Sequence, residues 1–186
     1  IHLITNKPTE ELEGYLKASA GSYSSYSVQG AISGPLSDTV RARLALFHSK
    51  ADGYIDNAIG PDQLEDDTLA GRLHVQITPS DRLDILLSAD IYQMDVDNVG
   101  GAHTQGAAID PVTGLGFNVP GVNNTILGYI KPDNDLYSGA FDQPGFMERD
   151  SSNLIANIAY EFDRVRLVSL SNLNSVESDY LEDNDL

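Results

Sequence analysis

The chain has 186 residues, a formal net charge of −17 at pH 7 and no cysteine. This charge argues against nucleic-acid binding, because phosphate backbones are bound by clustered lysine and arginine. The lack of cysteine excludes disulfides, thiolate metal sites and cysteine nucleophiles, and no apolar run approaches the roughly 18–20 residues of a transmembrane helix.

The negative charge is concentrated in three segments, residues 52–67, 95–150 and 177–186. These contain 19 of the 28 acidic residues and 2 of the 11 basic ones, so the rest of the chain is neutral. The acidic segments follow alternate strands of those predicted below. This spacing predicts a sheet that weaves up and down, with short turns at one end and long acidic loops at the other, as in a membrane-spanning β-barrel.

Alternation of polar and apolar residues predicts about seven strands. Turn-forming residues at 34–38, 79–82 and 162–164 join six of them into three hairpins. About ten residues per strand, tilted near 45°, give a height of about 23 Å, close to the apolar band of a membrane barrel. The predicted strands cover residues 13–22, 25–34, 40–47, 71–78, 83–91, 153–162 and a last one beginning near Val165.

Both faces of the predicted sheet have a composition typical of a barrel wall. Charged and polar residues share one face, which predicts a watery lumen: Arg41, Arg43, Arg72, His74, Gln76, Asp84 and Asp90. Aromatic residues near the strand ends predict an interfacial girdle: Tyr15, Tyr23, Tyr26, Tyr54, Tyr92, Tyr160 and Phe162. Soluble sandwiches and meanders also show such alternation, so a soluble sheet stays an alternative.

The first eight residues, Ile1-His2-Leu3-Ile4-Thr5-Asn6-Lys7-Pro8, resemble the last plug-domain strand of TonB-dependent outer-membrane receptors. That strand typically runs Ile-Asn-hydrophobic-hydrophobic-Thr-Lys-Lys-Pro, and His2 departs from the usual asparagine. The order of later segments over residues 1–92 and 151–173 is similar to the family's early barrel, whereas 95–150 carries none of its motifs. The similar segments include Glu13-Gly14, Gly21-Ser22-Tyr23, Gly34-Pro35-Leu36-Ser37-Asp38-Thr39, Arg41-Ala42-Arg43-Leu44-Ala45, Asp52-Gly53-Tyr54-Ile55-Asp56-Asn57, Ala70-Gly71-Arg72-Leu73 and Leu86-Leu87-Ser88-Ala89-Asp90.

The resemblance implies an all-β fold: a transmembrane antiparallel β-barrel of which this chain supplies about seven of 22 strands, with a long extracellular loop. Residues 1–11 are then the C-terminal end of the plug domain and its linker, and residues 12–186 the N-terminal portion of the barrel. On this interpretation the chain is a fragment, with the rest of the plug before Ile1 and the closing strands after Leu186. A plug that enters from the periplasm makes the short turns periplasmic and the acidic segments extracellular.

The resemblance also implies a function and partners. The expected role is active uptake of a scarce nutrient, with a ferric siderophore as the leading candidate, across the outer membrane of a Gram-negative bacterium. TonB, acting through the region before Ile1, and outer-membrane lipid with lipopolysaccharide are the expected partners; no enzymatic activity, cofactor or nucleic acid is expected. The alternatives are a small outer-membrane barrel with an adhesion or structural role and a soluble β-rich binding module.

Few residues suggest site chemistry by themselves. Asp95 to Gly100 begins like a calcium loop, but Val99 and Gly106 occupy positions that need oxygen ligands. The four histidines, His2, His48, His74 and His103, are too scattered for a metal motif, and His74 is expected in the lumen beside Arg72. Arg41 and Arg43 are expected to form charged ladders with Asp84 and Asp90, and no catalytic, metal, cofactor or ligand-binding residue is assigned.

The segment 95–150 is the strongest candidate for function, because a loop of this length is usually functional or disordered. It contains 9 glycines within 100–145. Its aromatic residues either contact a ligand or pack the loop over the barrel mouth, and packing is the preferred interpretation. They are Phe117, Tyr129, Tyr137, Phe141 and Phe146.

Overall fold

The computed structural model describes residues 5–99, 105–109, 112–113, 116–123, 135, 137–139, 141 and 143–182. Within these ranges the regular structure is entirely β, and no helix is long and apolar enough to cross a membrane. The strands are β1 Glu13–Ala20, β2 Tyr26–Ser37, β3 Val40–Ala51, β4 Asp56–Asn57, β5 Glu65–Ser80, β6 Leu83–Asp97, β7 Gln105–Ile109, β8 Gly116–Asn123, β9 Ser138–Gly139, β10 Phe146–Glu161 and β11 Arg166–Leu181.

Seven strands form one antiparallel sheet in the order β1-β2-β3-β5-β6-β10-β11, so each pairs with the next long strand along the chain. The short strands lie in the connections: β4 and β9 pair in parallel, and β7 pairs with β8. The predicted antiparallel all-β meander is confirmed. The sheet ends at β1 and β11 within the described residues, so closure and the count of 22 strands stay predictions.

The strands are longer than expected, and two of the turns lie further along the chain. Strands β5, β10 and β11 have 16 residues each, against the ten predicted. Strand β2 continues through residues 34–37. The register shifts between Pro35 and Ser37, and a bulge of this kind allows a proline within a strand. The chain then turns at Asp38-Thr39, and the second hairpin likewise turns at Asp81-Arg82 rather than at Pro79.

The register gives the sheet two unlike faces. Directly paired residues share a face, so Arg43, His74 and Ser88 lie together on what we call the inner face. Leu73 and Leu154 lie on the opposite, outer face, in one cross-strand line through Ala89. In the middle of the sheet the inner face is the covered one, since His74 is 5% exposed and Leu154 is 55% exposed, whereas the edge strands β1 and β11 are exposed on both faces.

The aromatic girdle is only partly formed. Tyr26 and Tyr160 lie on the outer face near strand ends, as predicted. Tyr15 and Tyr92 are paired with Ala31 and Ala70 on the inner face. Side-chain direction alternates along a strand, so these two tyrosines cannot belong to a lipid-facing girdle and that part of the prediction is wrong.

Candidate functional site

The inner face is lined by hydrogen-bonded polar groups in the middle of the sheet. Arg72 Nε pairs with Asp90 at 2.5 Å, and His74 Nδ1 lies 2.7 Å from Ser88 Oγ. All seven polar residues predicted for the lumen lie on this face. A buried polar group is stable only when it has a partner, and strands β5 and β6 supply these partners to each other.

The predicted charged ladder is wrong in its partners. Arg41 pairs with Glu10 at 3.0 Å and Arg43 with Glu13 at 3.8 Å, instead of with Asp84 and Asp90. Asp84 accepts a hydrogen bond from Gln76 at 3.0 Å, while Asp90 pairs with Arg72. The sequence pattern does not reveal that the segment before β1 lies against the inner face and supplies Glu10 as a partner.

That segment, residues 5–11, crosses the inner face from the middle of the sheet towards the short turns, and we call it the strap. Thr5 Oγ1 lies 3.2 Å from His74 Nε2, at mid-sheet. Further along, the Thr9 N–H donates to Ser33 Oγ at 2.9 Å, and Pro8 is buried. The contact of Glu10 with Arg41, at the start of β3, then anchors the strap near the turn that precedes β3.

Several cavities open on the inner face, including one of about 440 Å³ between the strap and the start of β1. One of about 510 Å³ is lined by aromatic, amide and charged side chains that include Tyr15, Phe47, Arg72, Tyr92 and Asn153. Within the described structure the buried Oδ1 of Asn153 has no hydrogen-bond partner. Another cavity, of about 250 Å³, lies beneath the strap, where Thr5 meets Arg43 and His74. These volumes would accept small polar molecules or water.

The outer face carries an apolar band that runs from β1 to β10, whereas on β11 the outward residues between Leu167 and Leu173 are serines. The band begins at the short turns, with Val40, Ile77 and Ile85 in cross-strand register, and on β5 it ends at Leu69. A hollow of about 530 Å³ in this band is lined largely by leucine, valine and alanine, including Leu87 and Leu154. Exposed apolar side chains over this much surface mark contact with lipid or another protein.

Above the band, towards the long loops, the outer face becomes acidic. One cross-strand line joins Asp67, Asp95, Glu148 and Asp179, with further carboxylates in the lines on either side. We call these residues the acidic rows: Glu65, Asp67, Asp95, Asp97, Glu148, Asp150, Glu177 and Asp179. Repulsion within the rows is offset on β3 by Lys50, which lies 3.5 Å from both Glu65 and Asp67.

The pKa values of two paired carboxyls in the rows shift in opposite directions. A hydrogen bond from His48 Nε2 at 2.9 Å lowers the pKa of Asp67. Burial raises the pKa of Asp95, and the neighbouring carboxylates, Asp97 first, raise it further. Both groups lie beyond the apolar band. In the described part of the chain, however, no three histidine or acidic side chains are grouped so that they could hold a metal ion.

The connections at the acidic end fold onto one another. Asn57 joins two of them: its Nδ2 donates to the Phe141 carbonyl at 3.0 Å and its Oδ1 accepts from the Phe141 N–H at 2.9 Å. Ile55 and Phe141 are buried there. Gly53 permits a close approach, because a Cβ at this position would lie 2.8 Å from the Gln63 carbonyl oxygen. These contacts support the prediction that part of the loop packs over the sheet end.

Three tyrosines meet on this folded end. Tyr54 lies in edge-to-face contact with Tyr23, at 6.4 Å between ring centroids, and contacts Tyr137 at 6.3 Å. The sequence pattern assigns Tyr23 and Tyr54 to the girdle and Tyr137 to the loop, and it does not reveal their contact. The sequence contains no local signal for it, because the three residues come from three different connections.

The remaining candidates are separated in space or lie outside the described residues. Asp95 and Asp97 belong to strand β6 rather than to a calcium loop, and Val99 is buried. His48 and His74 lie on opposite faces of the sheet, since Arg43 pairs with His74 while His48 pairs with Leu69. Outside the described residues lie Ile1 to Ile4 with His2, as well as His103 and Tyr129; for Phe117 and Gly106 only the backbone is described.

Comparisons with known proteins give a fold. No protein-family model and no curated protein matches the chain. Among solved structures, the chain is similar to one in the FpvAI–pyocin S2 complex, with a TM-score of 0.63 and 19% sequence identity. The similarity covers 94% of this chain and 21% of that one, so this chain spans about a fifth of the length of the structure it matches.

Proposed function

We propose that this chain is part of a TonB-dependent outer-membrane receptor and that the whole protein actively takes up a scarce nutrient. Residues 1–11 are assigned to the end of the plug domain and its linker, and residues 12–186 to the first portion of the β-barrel. A ferric siderophore is the leading candidate for the nutrient. The proposal gives the chain no catalytic role.

The observation that carries this proposal is the inverted distribution of polarity. In a soluble sheet the apolar face is buried and the polar face is wet. Here the polar inner face contains buried His74 and Ser88, whereas the outer face exposes Leu73 and Leu154. A barrel wall with a polar lumen and a lipid-facing apolar band has this arrangement.

The strap supports the assignment of the plug end. It lies on the inner face, where a plug would fill the lumen, and it reaches β1 from the end of the sheet that carries the short turns. Its hydrogen bonds and ion pair with the sheet join Thr5 to His74, Thr9 to Ser33 and Glu10 to Arg41. Such contacts can hold the segment in place and still exchange with water when the segment moves.

The structural neighbour supports the same class of protein. FpvAI is a TonB-dependent receptor, and its similarity to this chain extends over nearly the whole of the present sheet. In that structure it forms a complex with pyocin S2. On this proposal the acidic end faces outside, the short turns face the periplasm, and the outer face contacts membrane lipid and lipopolysaccharide. TonB would act on the plug.

The proposed transport is tested in iron-starved cells that carry or lack the complete protein. The expected result is energy-dependent accumulation of radio-iron, supplied as a ferric siderophore, only in cells with both the protein and TonB. Deleting residues 100–145 is expected to abolish or strongly weaken ligand binding. Equal uptake in cells without the protein would overturn the siderophore assignment.

Location is tested separately, because a receptor for another nutrient would fail the iron assay and still be a membrane barrel. The protein is expected in the outer-membrane fraction, with a gel mobility that changes when the sample is heated. A protein that stays in the aqueous phase after detergent partition would favour the soluble binding module instead.

A further inference from the structure

The acidic end of the sheet exposes an aromatic surface formed by Tyr23, Tyr54 and Tyr137. These tyrosines are 59%, 42% and 61% exposed. Tyr54 contacts both other rings, and among the described rings Tyr23 and Tyr137 make no contact with each other. The rings therefore form an extended row, which we call the tyrosine platform, rather than a closed cage around a single small ion.

Backbone contacts fix the platform from three connections. The Asp52 N–H donates to the Tyr23 carbonyl at 2.9 Å, and the Asp56 N–H donates to the Tyr137 carbonyl at 2.8 Å. Tyr23 itself has a φ of 56°, in the left-handed region that a bulky residue seldom adopts. Surrounding structure must hold such a conformation, and strained residues of this kind cluster at binding sites. The backbone at Tyr23 and Tyr137 is thus held to the connection that carries Tyr54 before any partner arrives.

The two charged residues whose backbone is bonded to the platform are both acidic. Asp52 and Asp56 are exposed next to the tyrosines to which they are bonded. The connection over residues 52–64 contains no lysine or arginine. Aromatic ring faces and carboxylates both attract cations, and guanidinium groups also stack on the rings. An anionic partner would be repelled at the same place.

We propose that the tyrosine platform binds lysine and arginine side chains of a basic polypeptide. An extended row of rings suits several cationic side chains spaced along a chain, and the net charge of −17 would draw a basic partner towards this surface. This inference depends on the described contacts at the loop end, so it stands or falls independently of nutrient transport.

The test measures binding of a fluorescent oligolysine peptide, by anisotropy, to the complete protein in detergent micelles. Replacing one platform tyrosine by leucine, as in Tyr54→Leu, is expected to weaken binding about two- to fivefold, and replacing all three about tenfold or more. Tyr54→Phe keeps the ring and is expected to bind within about twofold of the unchanged protein. The double variant Asp52→Asn and Asp56→Asn is expected to bind the peptide more weakly, and its binding is expected to depend less on salt concentration.

Tyr180→Leu is the matched control, because Tyr180 is 54% exposed at the same end of the sheet but lies outside the platform. It is expected to leave affinity unchanged. An unchanged heat-dependent gel mobility and circular dichroism spectrum show that each variant has folded.

Three results would overturn the proposal. The first is a triple leucine variant that binds the peptide like the unchanged protein, which would mean that the acidic surface as a whole, and not the rings, attracts the peptide. Tyr180→Leu could lose as much affinity as Tyr54→Leu. Finally, tetramethylammonium could displace the peptide at an equal concentration of cationic groups, which would make the platform a small-cation site.

Discussion

An arginine at the centre of the apolar band tests whether the outer face of the sheet lies in lipid. On β5, outward-pointing apolar residues run from Leu69 to Ile77, with Leu73 at the centre. Eight residue steps of about 3.3 Å, tilted by about 40°, make this stretch about 20 Å tall. Leu73 thus lies about 10 Å from either end, near the middle of the bilayer if the band spans it.

The expected cost of Leu73→Arg is about 2–4 kcal/mol of folding free energy in a lipid bilayer. Leu69→Arg, on the same strand and face but at the edge of the band, is expected to cost about 0–1 kcal/mol. The two leucines are 41% and 38% exposed, so in water their replacement would have similarly small effects, within about 0.5 kcal/mol. Depth in the membrane is therefore the main difference between these variants.

The assay is urea-dependent unfolding of the complete protein from phosphatidylcholine vesicles. Because this chain contains no tryptophan, circular dichroism and heat-dependent gel mobility are used to follow it. A difference of about 2 kcal/mol or more between the variants supports lipid contact. Equal free energies of unfolding would refute the argument and favour a soluble sheet whose outer face is covered by another protein.

Two further predictions concern the acidic rows and the strap. At pH 7, Asp67→Asn is expected to destabilise the sheet and Asp95→Asn to stabilise it, each by less than about 1 kcal/mol. The stabilisation from Asp67 is lost as pH falls through its lowered pKa, and the penalty from Asp95 disappears as pH falls through its raised pKa. The two variants should therefore shift the urea midpoint in opposite directions at pH 7, and shifts in the same direction would contradict this assignment. Ser33→Ala removes the acceptor of the Thr9 N–H and is expected to cost about 1–3 kcal/mol locally. Faster amide exchange at Thr9 measures that loss, and Ser27→Ala, on the same face, is the control that should leave Thr9 unchanged.

The face of the sheet on which each strand residue lies could be predicted from the alternation of polar and apolar residues. Arg72 and His74 on the inner face illustrate this relation. The strand ends were less predictable. Above the apolar band the outward residues of β5 and β6 become acidic, as at Asp67 and Asp95, so the hydrophobic pattern stops before the backbone pairing does. A strand that leaves an apolar environment keeps its hydrogen bonds but loses its sequence signal.

The contacts at the loop end and the strap could not be predicted from local sequence. Asn57 binds Phe141 across 84 positions, and Thr5 contacts His74 across 69. These contacts depend on how the meander brings distant connections together. Local periodicity carries no information about such pairs, because it reports only on residues that are neighbours within one strand.

Three separate features distinguish the two ends of the sheet. The apolar band begins at the short turns, the acidic rows lie at the opposite end, and the strap joins β1 beside the short turns. The tyrosine platform belongs to the acidic end. A partner on the platform and a force applied to the strap would therefore act at opposite ends of the same sheet. In the described part of the chain, the strap's hydrogen bonds and ion pair to the sheet are with inner-face residues such as Ser33 and His74, so they are separate from the contacts that form the platform.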